Sequence, residues 1–78
     1  MKLLSQLEIG ERATVTVVRG EGAIRRRLFD MGITPGAEVY LRKKAPLGDP
    51  IEVTVRSYEL SLRNSEAACI TMEVTPNV

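Results

Sequence analysis

The sequence predicts a mainly β protein: a small five-stranded barrel, closed or nearly closed, with one short α-helix after its first strand and a 3₁₀ turn before its last strand. Short segments in which apolar and polar residues alternate recur along the chain, and this period is typical of half-buried strands. Turns containing glycine and proline separate these segments. Because 78 residues cannot form two full sheets, one sheet closed on itself best buries the inner faces and limits exposed edges. We expect residues 1–78 to form one domain.

The chain begins with a capping-box pattern, Ser5 followed by Glu8, which predicts a single helical turn because a glycine comes soon after. Residues 12–18 alternate between apolar and polar side chains and are rich in β-branched residues. They predict the first strand, with Val15 and Val17 on its buried face. A turn containing two glycines ends this strand.

A short amphipathic helix is predicted from residue 21 or 23 to residue 31. Its apolar face has the i, i+4, i+7 spacing of a helix and carries Ile24, Leu28 and Met31. Gly32 follows where a helix favours a residue with positive φ, so it is predicted to be the C-terminal cap. Ile33 lies where a Schellman motif places its hydrophobic contact with the helix.

Residues 34–37 predict a type II turn, because Pro35 presets φ at the second turn position and Gly36 accepts positive φ at the third. A strand with Val39 and Leu41 inward is expected from there to about residue 44. The turn-rich residues 45–50 then predict the tip of a long hairpin.

Three further strands and one helical turn complete the predicted barrel. Residues 51–56 form the returning strand of the hairpin, and residues 58–62 form a short fourth strand. Residues 64–67 suit one helical or 3₁₀ turn, since a polar residue can cap it and an acidic residue favours its positive end. The last strand covers residues 69–74, and a tail of residues 75–78 follows.

Composition argues against catalytic and metal-binding classes. The chain has no histidine, and its one cysteine, Cys69, lies among apolar neighbours in a predicted strand. We therefore expect no catalytic group, no cofactor and no tight ferrous site within one chain. An oligomer with a metal site between subunits stays open. The start of the chain carries no signal-peptide pattern and no apolar run reaches membrane-spanning length, so we expect a cytoplasmic protein without direct membrane insertion.

The sharpest charge cluster is formed by three consecutive arginines, Arg25, Arg26 and Arg27. At about 100° per residue they spread around the polar arc of the helix rather than forming one stripe. A solvated face in which Arg27 pairs with an acid is favoured, and contact with a protein partner comes second. Nucleic-acid binding is disfavoured because the net charge is only +1 and aromatic residues make up 4% of the chain.

A partner-binding surface is predicted on the outer face of the helix and the neighbouring hairpin tip. Phe29 lies off the apolar stripe, so it either packs under the hairpin loop or serves as an aromatic anchor for another protein. Leu47 lies in a proline-bounded loop that is stiff enough to present it at a low entropy cost. The predicted surface consists of Arg25, Arg26, Phe29, Pro46, Leu47 and Asp49.

Three stretches together resemble one known family. RRLFDMGITPG is similar to the arginine, leucine, glycine and proline-glycine signature of the FeoA family, APLGDPIEV to its hairpin tip, and YELSLRNSEAACI to its closing strand, turn and strand. The resemblance implies an SH3-like barrel with an inserted helix, no enzymatic activity and a role in ferrous iron uptake. The implied partner is the cytoplasmic, GTP-binding side of the transporter FeoB. The signature residues with a structural role are Arg27, Leu28, Gly32, Pro35 and Gly36.

Two alternatives accompany this resemblance. The same module is similar to the C-terminal domain of metal-dependent repressors of the diphtheria toxin repressor type, but that domain follows a winged helix, and none precedes residue 1, so we expect an independent accessory protein. A small nucleic-acid-binding barrel is the other alternative. The chain departs from the family pattern at Ser57, where related sequences often have glycine before the tyrosine.

Overall fold

The computed structural model describes residues 2–74, and the predicted tail at residues 75–78 lies outside the described residues. Strands follow one another with one helix after the second strand and one helical turn before the last. In chain order the elements are β1 (Lys2–Leu3), a 3₁₀ turn (Leu4–Gln6), β2 (Arg12–Val18), α1 (Gly22–Asp30), β3 (Glu38–Lys44), β4 (Ile51–Val55), β5 (Tyr58–Leu62), α2 (Asn64–Ala67) and β6 (Ile70–Val74).

The strands form one antiparallel sheet in the order β1-β6-β2-β3-β4-β5. The predicted mainly β fold is confirmed, but the sheet has six strands, so the prediction of five strands was wrong by one. The additional strand, β1, pairs Lys2 with Met72 and Leu3 with Thr71. Two residues are too few to show alternation, which is why the sequence pattern did not reveal this strand.

The start of the chain differs from its predicted capping box. The helical turn is 3₁₀ and begins at Leu4, two residues before the start that a Ser5 cap implies, and Ser5 does not cap it. Instead the Gln6 amide oxygen accepts the Leu3 N–H at 2.8 Å. The side chains of Leu4 and Leu7 are fully buried, so this segment closes one end of the core.

Strand β2 contains a β-bulge that changes which residues face the core. Its register with β6 shifts between Val15 and Val17, so Val17 is 42% exposed while Val18 is buried. The prediction that Val17 points inward was therefore wrong. A bulge inserts one residue into a strand and reverses the sidedness of the residues after it, and alternation alone cannot locate it.

Helix α1 ends in the predicted Schellman motif. Gly32 has φ +90°, its N–H donates to the Phe29 carbonyl at 3.0 Å, and the Ile33 N–H donates to the Leu28 carbonyl at 3.0 Å. Ile33 is fully buried, which supplies the hydrophobic contact of the motif. The apolar face of the helix is narrower than predicted, because Leu28 is fully buried whereas Ile24 is 39% exposed.

The type II turn after α1 is also confirmed. Its backbone hydrogen bonds connect the end of α1 to the sheet. The Ala37 N–H donates to the Thr34 carbonyl at 2.9 Å, and Gly36 has φ +93°. The Gly36 N–H then donates to the Val15 carbonyl, and the Val15 N–H donates to the Ala37 carbonyl, both at 2.8 Å. The turn therefore joins β3 to β2 directly.

The core lies between the inner face of the sheet, α1 and the first turn of the chain. Its strand residues include Val15, Val39 and Leu41, which were predicted to point inward. The later strands contribute Val53, Val55, Ile70 and Met72. Beyond Leu41, β3 carries a second bulge and its three basic residues are exposed, so the last part of the strand leaves the core.

Candidate partner-binding surface

The three arginines of α1 point to three different environments. The Nε of Arg25 donates to the Val18 carbonyl at 3.3 Å, and its guanidinium lies over the Phe29 ring at 4.5 Å from the centroid. Arg25 is thus held against the protein by a hydrogen bond and a cation–π contact. Its charge still faces solvent, but its geometry is fixed by Phe29 and β2.

Arg27 pairs with an acid, as the favoured interpretation of the arginine cluster expected. Its Nη1 lies 3.4 Å from Oε2 of Glu66, whose side chain is only 7% exposed. The other oxygen of Glu66, Oε1, accepts the Arg63 N–H at 3.0 Å. A buried carboxylate needs compensating donors, so Arg27 and the start of α2 together satisfy it. This contact joins α1 to α2.

Arg26 is the arginine that remains available to a partner. It is exposed, and within residues 2–74 its side chain makes no hydrogen bond, ion pair or ring contact. An exposed, unpaired guanidinium can form bidentate contacts with a carboxylate without first breaking an internal pair.

Phe29 is partly buried and packs against the core cluster. Arg25 covers its ring from the helix side. Phe29 therefore contributes to folding. Its role as an aromatic anchor stays a prediction, and it requires that Arg25 move off the ring or that the partner contact the part of the ring that Arg25 leaves open.

The hairpin tip presents one apolar side chain almost completely. Leu47 is 96% exposed, the largest value among the exposed large hydrophobic residues of the described chain. The loop beneath it is ordered by backbone hydrogen bonds from Gly48 to the Ala45 carbonyl at 2.7 Å and from Ala45 to the Pro50 carbonyl at 3.0 Å. Leu47 is therefore held outward by a structured loop.

Asp49, also predicted to contact a partner, already has a structural role. Its Oδ1 accepts the Asn64 N–H at 3.0 Å, and the Asn64 side-chain amide donates to the Gly48 carbonyl at 2.8 Å. These bonds hold the hairpin tip against the first residue of α2. Since Glu66 of the same short helix pairs with Arg27, α2 connects to both halves of the predicted surface.

Beside the tip lies a shallow cleft of about 280 Å³ with apolar walls and basic residues at its rim. Lys43 at the rim pairs with Glu52 at 3.6 Å, whereas Lys44 has no ion-pair partner within the described residues. Its lining residues are Lys43, Lys44, Ala45, Pro46, Pro50 and Glu52. Pro46 therefore belongs both to the predicted surface and to the lining of this cleft.

Residues 2–74 contain no group of three histidine, cysteine, aspartate or glutamate residues placed to hold a metal ion. The thiol of Cys69 is half-buried and donates to the Ser65 carbonyl at 3.4 Å. It also lies close to Gly20, where an added Cβ would come within 3.2 Å of the sulfur. The thiol therefore lies where the turn between α2 and β6 meets the turn that precedes α1.

Two features of the chain went unrecognised in its sequence. Arg56 and Ser57 both have positive φ, +51° and +71°, and form a two-residue turn between β4 and β5. The departure from glycine at Ser57 was the available signal for that turn. The second feature is Glu11, which accepts the Glu8 N–H at 2.6 Å and pairs with Lys2 at 2.9 Å. The backbone hydrogen bond first, and the Lys2 ammonium second, lower the pKa of the Glu11 carboxyl.

Comparison with known proteins decides the family. The FeoA domain family matches residues 2–74, which is nearly the whole chain. The chain belongs to the FeoA family. Two solved FeoA proteins have the same fold. The FeoA protein of Chlorobium tepidum is 45% identical, with a TM-score of 0.90, and the match covers 96% of this chain and 71% of that chain. A zinc complex of FeoA from Stenotrophomonas maltophilia is 34% identical, with a TM-score of 0.83, and the match covers 94% of this chain and 91% of that chain. The latter is described as an SH3 domain protein, so the expected SH3-like fold is confirmed.

A curated relative from Porphyromonas gingivalis is a fusion of Fe(2+) transport protein A with the Fe(2+) transporter FeoB, 37% identical over 71 residues. The match covers 91% of this FeoA chain, which spans 8% of the length of that relative. A manganese-dependent transcriptional repressor also superposes, with a TM-score of 0.88 but 17% identity, which shows a shared fold only. No helix among residues 2–74 has the length and apolar character needed to cross a membrane.

Proposed function

We propose that the protein is a non-enzymatic accessory protein of ferrous iron transport that works in the cytoplasm by binding the GTP-binding side of a FeoB transporter. The observation that carries this proposal is the relative in which an FeoA segment and FeoB form one polypeptide. Fusion keeps two modules at a high effective concentration, which is useful where they act together.

The proposed contact surface combines an apolar contact with a free charge. Leu47 and Pro46 supply the apolar part at the hairpin tip, and Arg26 supplies the charge on α1. Phe29 and Arg25 lie beside Arg26 as a preformed stacked pair. Asp49 holds the tip in place through Oδ1 and stays part of the proposed surface, because its exposed carboxylate forms no ion pair within the described residues.

The first test is a titration of the protein with the cytoplasmic domain of its FeoB. We expect Leu47→Ala to weaken binding about tenfold, because truncating a well-packed apolar anchor typically costs more than 1 kcal/mol. Its melting temperature should stay unchanged, since Leu47 is 96% exposed in the free protein. Ile9→Ala is the matched control, because Ile9 is also exposed, at 60%, but lies outside the proposed surface. Equal affinities for both variants would contradict the placement of the surface.

Arg26→Glu tests the charged half of the same surface. An exposed charge at the rim of an interface acts mainly on the rate of encounter, so the loss should be larger at low salt than at high salt. Arg26→Lys keeps the positive charge and should retain most of the encounter rate. A loss that is equally large for Arg26→Lys would indicate a bidentate contact instead of long-range attraction.

A further inference from the structure

The sheet ends in an open edge at β5. In the described chain β5 pairs only with β4, and β1 at the other end of the sheet pairs only with β6. Among residues 2–74, the barrel is therefore not closed by hydrogen bonds between its two terminal strands. Natural proteins usually cover, shorten or bend such an edge, because its free backbone groups can pair with another chain.

The turn between β4 and β5 determines which backbone groups are free. Val55 and Tyr58 flank a two-residue turn, and such flanking residues exchange hydrogen bonds. Bonded and non-bonded pairs alternate along an antiparallel ladder, so the pairs Thr54 with Glu59 and Glu52 with Ser61 are non-bonded. The N–H and C=O groups of Glu59 and Ser61 consequently point away from β4 into the open edge.

The inner face of β5 is apolar but only partly covered. Leu62 is fully buried and Leu60 is half-buried, whereas Tyr58 on the same face is 72% exposed. Across the ladder these residues stand beside buried residues of β4. The apolar layer thus continues past the edge of the core and ends in an uncovered tyrosine.

We propose that β5 is a self-association edge, which pairs antiparallel with β5 of a second copy of this chain around a two-fold axis at Leu60. In this register Glu59 stands opposite Ser61 of the second copy, and Ser61 stands opposite Glu59 of the second copy. These are the residues with free backbone groups, so both pairs become hydrogen-bonded. Tyr58 then lies diagonal to Leu60 of the second copy, within the reach of an aromatic side chain.

Charge and an existing hydrogen bond together select this register over its neighbours. An axis at Glu59 would place two carboxylates directly opposite each other, which is unfavourable. An axis at Ser61 would bring Arg63 into the ladder, but the Arg63 N–H is already donated to Glu66. The axis at Leu60 avoids both problems, and it leaves the ion pair between Glu59 and Arg42, at 2.9 Å, on the outer face. Because the contact involves one short strand from each copy, the dimer is weak and concentration-dependent.

Substitutions at Ser61 test the proposal with opposite signs. Ser61→Lys places a lysine opposite Glu59 of the second copy twice per dimer and should tighten the dimer about tenfold, whereas Ser61→Glu should weaken it by a similar factor. Ser61→Pro removes the outward N–H without removing a ladder bond to β4 and should abolish association. Ser61→Ala, which keeps the N–H and adds no charge, is the control and should associate like the unmodified chain.

The measurement is sedimentation equilibrium over a wide range of protein concentration, with thermal unfolding of dilute samples recorded in parallel. Ser61 also faces Glu52 of its own chain, so the charge changes alter monomer stability as well. Only an effect on mass that depends on concentration reports on the dimer. The unmodified chain should rise from monomer toward dimer mass at high concentration. A chain that stays monomeric, or a dimer that responds equally to lysine and glutamate at position 61, would overturn the proposal.

Discussion

At the scale of single residues, the turn at Arg56 and Ser57 has a strained backbone, because both residues have positive φ and neither is glycine. Type I′ turns need positive φ at both central residues, which is why Asn-Gly is their preferred sequence. The Arg56 side chain makes tertiary contacts from this position: its Nη2 donates to the Thr34 hydroxyl at 3.3 Å, and the side chain lies over Gly32. No contact of this kind involves the Ser57 side chain within the described residues.

Replacing Ser57 by glycine should therefore stabilise the protein. An L-residue in the left-handed region costs about 1–2 kcal/mol, and part of that gain is offset because glycine makes the unfolded chain more flexible. We expect Ser57→Gly to raise the free energy of unfolding by about 0.5–1 kcal/mol, measured by urea denaturation. Ser57→Ala keeps the Cβ and should bring no gain. A loss of stability in Ser57→Gly would show that the hydroxyl has a role in the turn.

At the same scale, Glu11 predicts how stability responds to acid. Its pKa is lowered in the folded protein, so its contribution is present above the pKa of an unfolded glutamate and is lost as pH falls through the folded value. The urea midpoint of the unmodified chain should exceed that of Glu11→Gln near pH 6, and the difference should shrink toward pH 3. Lys2→Met should reduce this difference without abolishing it, since the hydrogen bond from Glu8 is the larger cause. A difference that is constant with pH would contradict the assignment.

At the scale of elements, the two ends of α1 carry glycines with opposite requirements. Gly32 has φ +90°, where any Cβ is strained, although its nearest neighbour, the Arg56 side chain, would be at an ordinary distance of 3.6 Å. Gly22 is the first residue of the helix, and a Cβ there would meet no atom within 4 Å. Helical propensity favours alanine over glycine where the backbone allows it.

Alanine should accordingly have opposite effects at these two positions. We expect Gly32→Ala to lower the free energy of unfolding by about 1–2 kcal/mol and Gly22→Ala to raise it by up to about 1 kcal/mol. Thermal and urea unfolding of the two variants gives the comparison in one protein and one helix. The Schellman assignment fails if the two substitutions shift stability in the same direction.

At the scale of the whole molecule, local chemistry was predictable and long-range pairing was not. Gly32, Pro35 and Gly36 define the end of α1 and the turn after it through their own backbone preferences, so the sequence alone was sufficient there. The bulge in β2 and the short strand β1 depend on how β6 pairs with its neighbours. Periodicity within one segment contains no information about that pairing.

The candidate surface follows the same division. The exposure of Leu47 was predictable because prolines and turn formers surround it in the chain. The internal role of Asp49 was not, because its partner Asn64 lies 15 residues away in sequence and is brought close only by the fold. Likewise, an acidic partner for Arg27 was expected, but its identity as Glu66 required the docking of α2 beside α1.

At the same scale, the side chains of the whole molecule determine whether one chain can bind a metal ion. The full sequence has no histidine and one cysteine, whose thiol is half-buried and hydrogen-bonded. Three carboxylates that could contribute oxygen ligands, Glu11, Glu59 and Glu66, are each already paired with a cation. Ferrous iron favours sites in which carboxylates are combined with an imidazole nitrogen or a thiolate sulfur. One chain lacks that combination of ligands.

We therefore expect anaerobic calorimetry with ferrous iron to show no site of micromolar or tighter affinity in the monomer. The control is Cys69→Ser, which should leave the titration unchanged because the thiol takes no part in binding. One stoichiometric ion per chain with micromolar affinity would contradict the prediction. Binding of one ion per two chains, with a heat of binding that grows with protein concentration, would instead indicate a site assembled between subunits. If the β5 edge forms that contact, Ser61→Pro should remove the site. Measuring both variants in the same titration series separates a thiolate ligand from an intersubunit one, because each substitution removes only its own contribution.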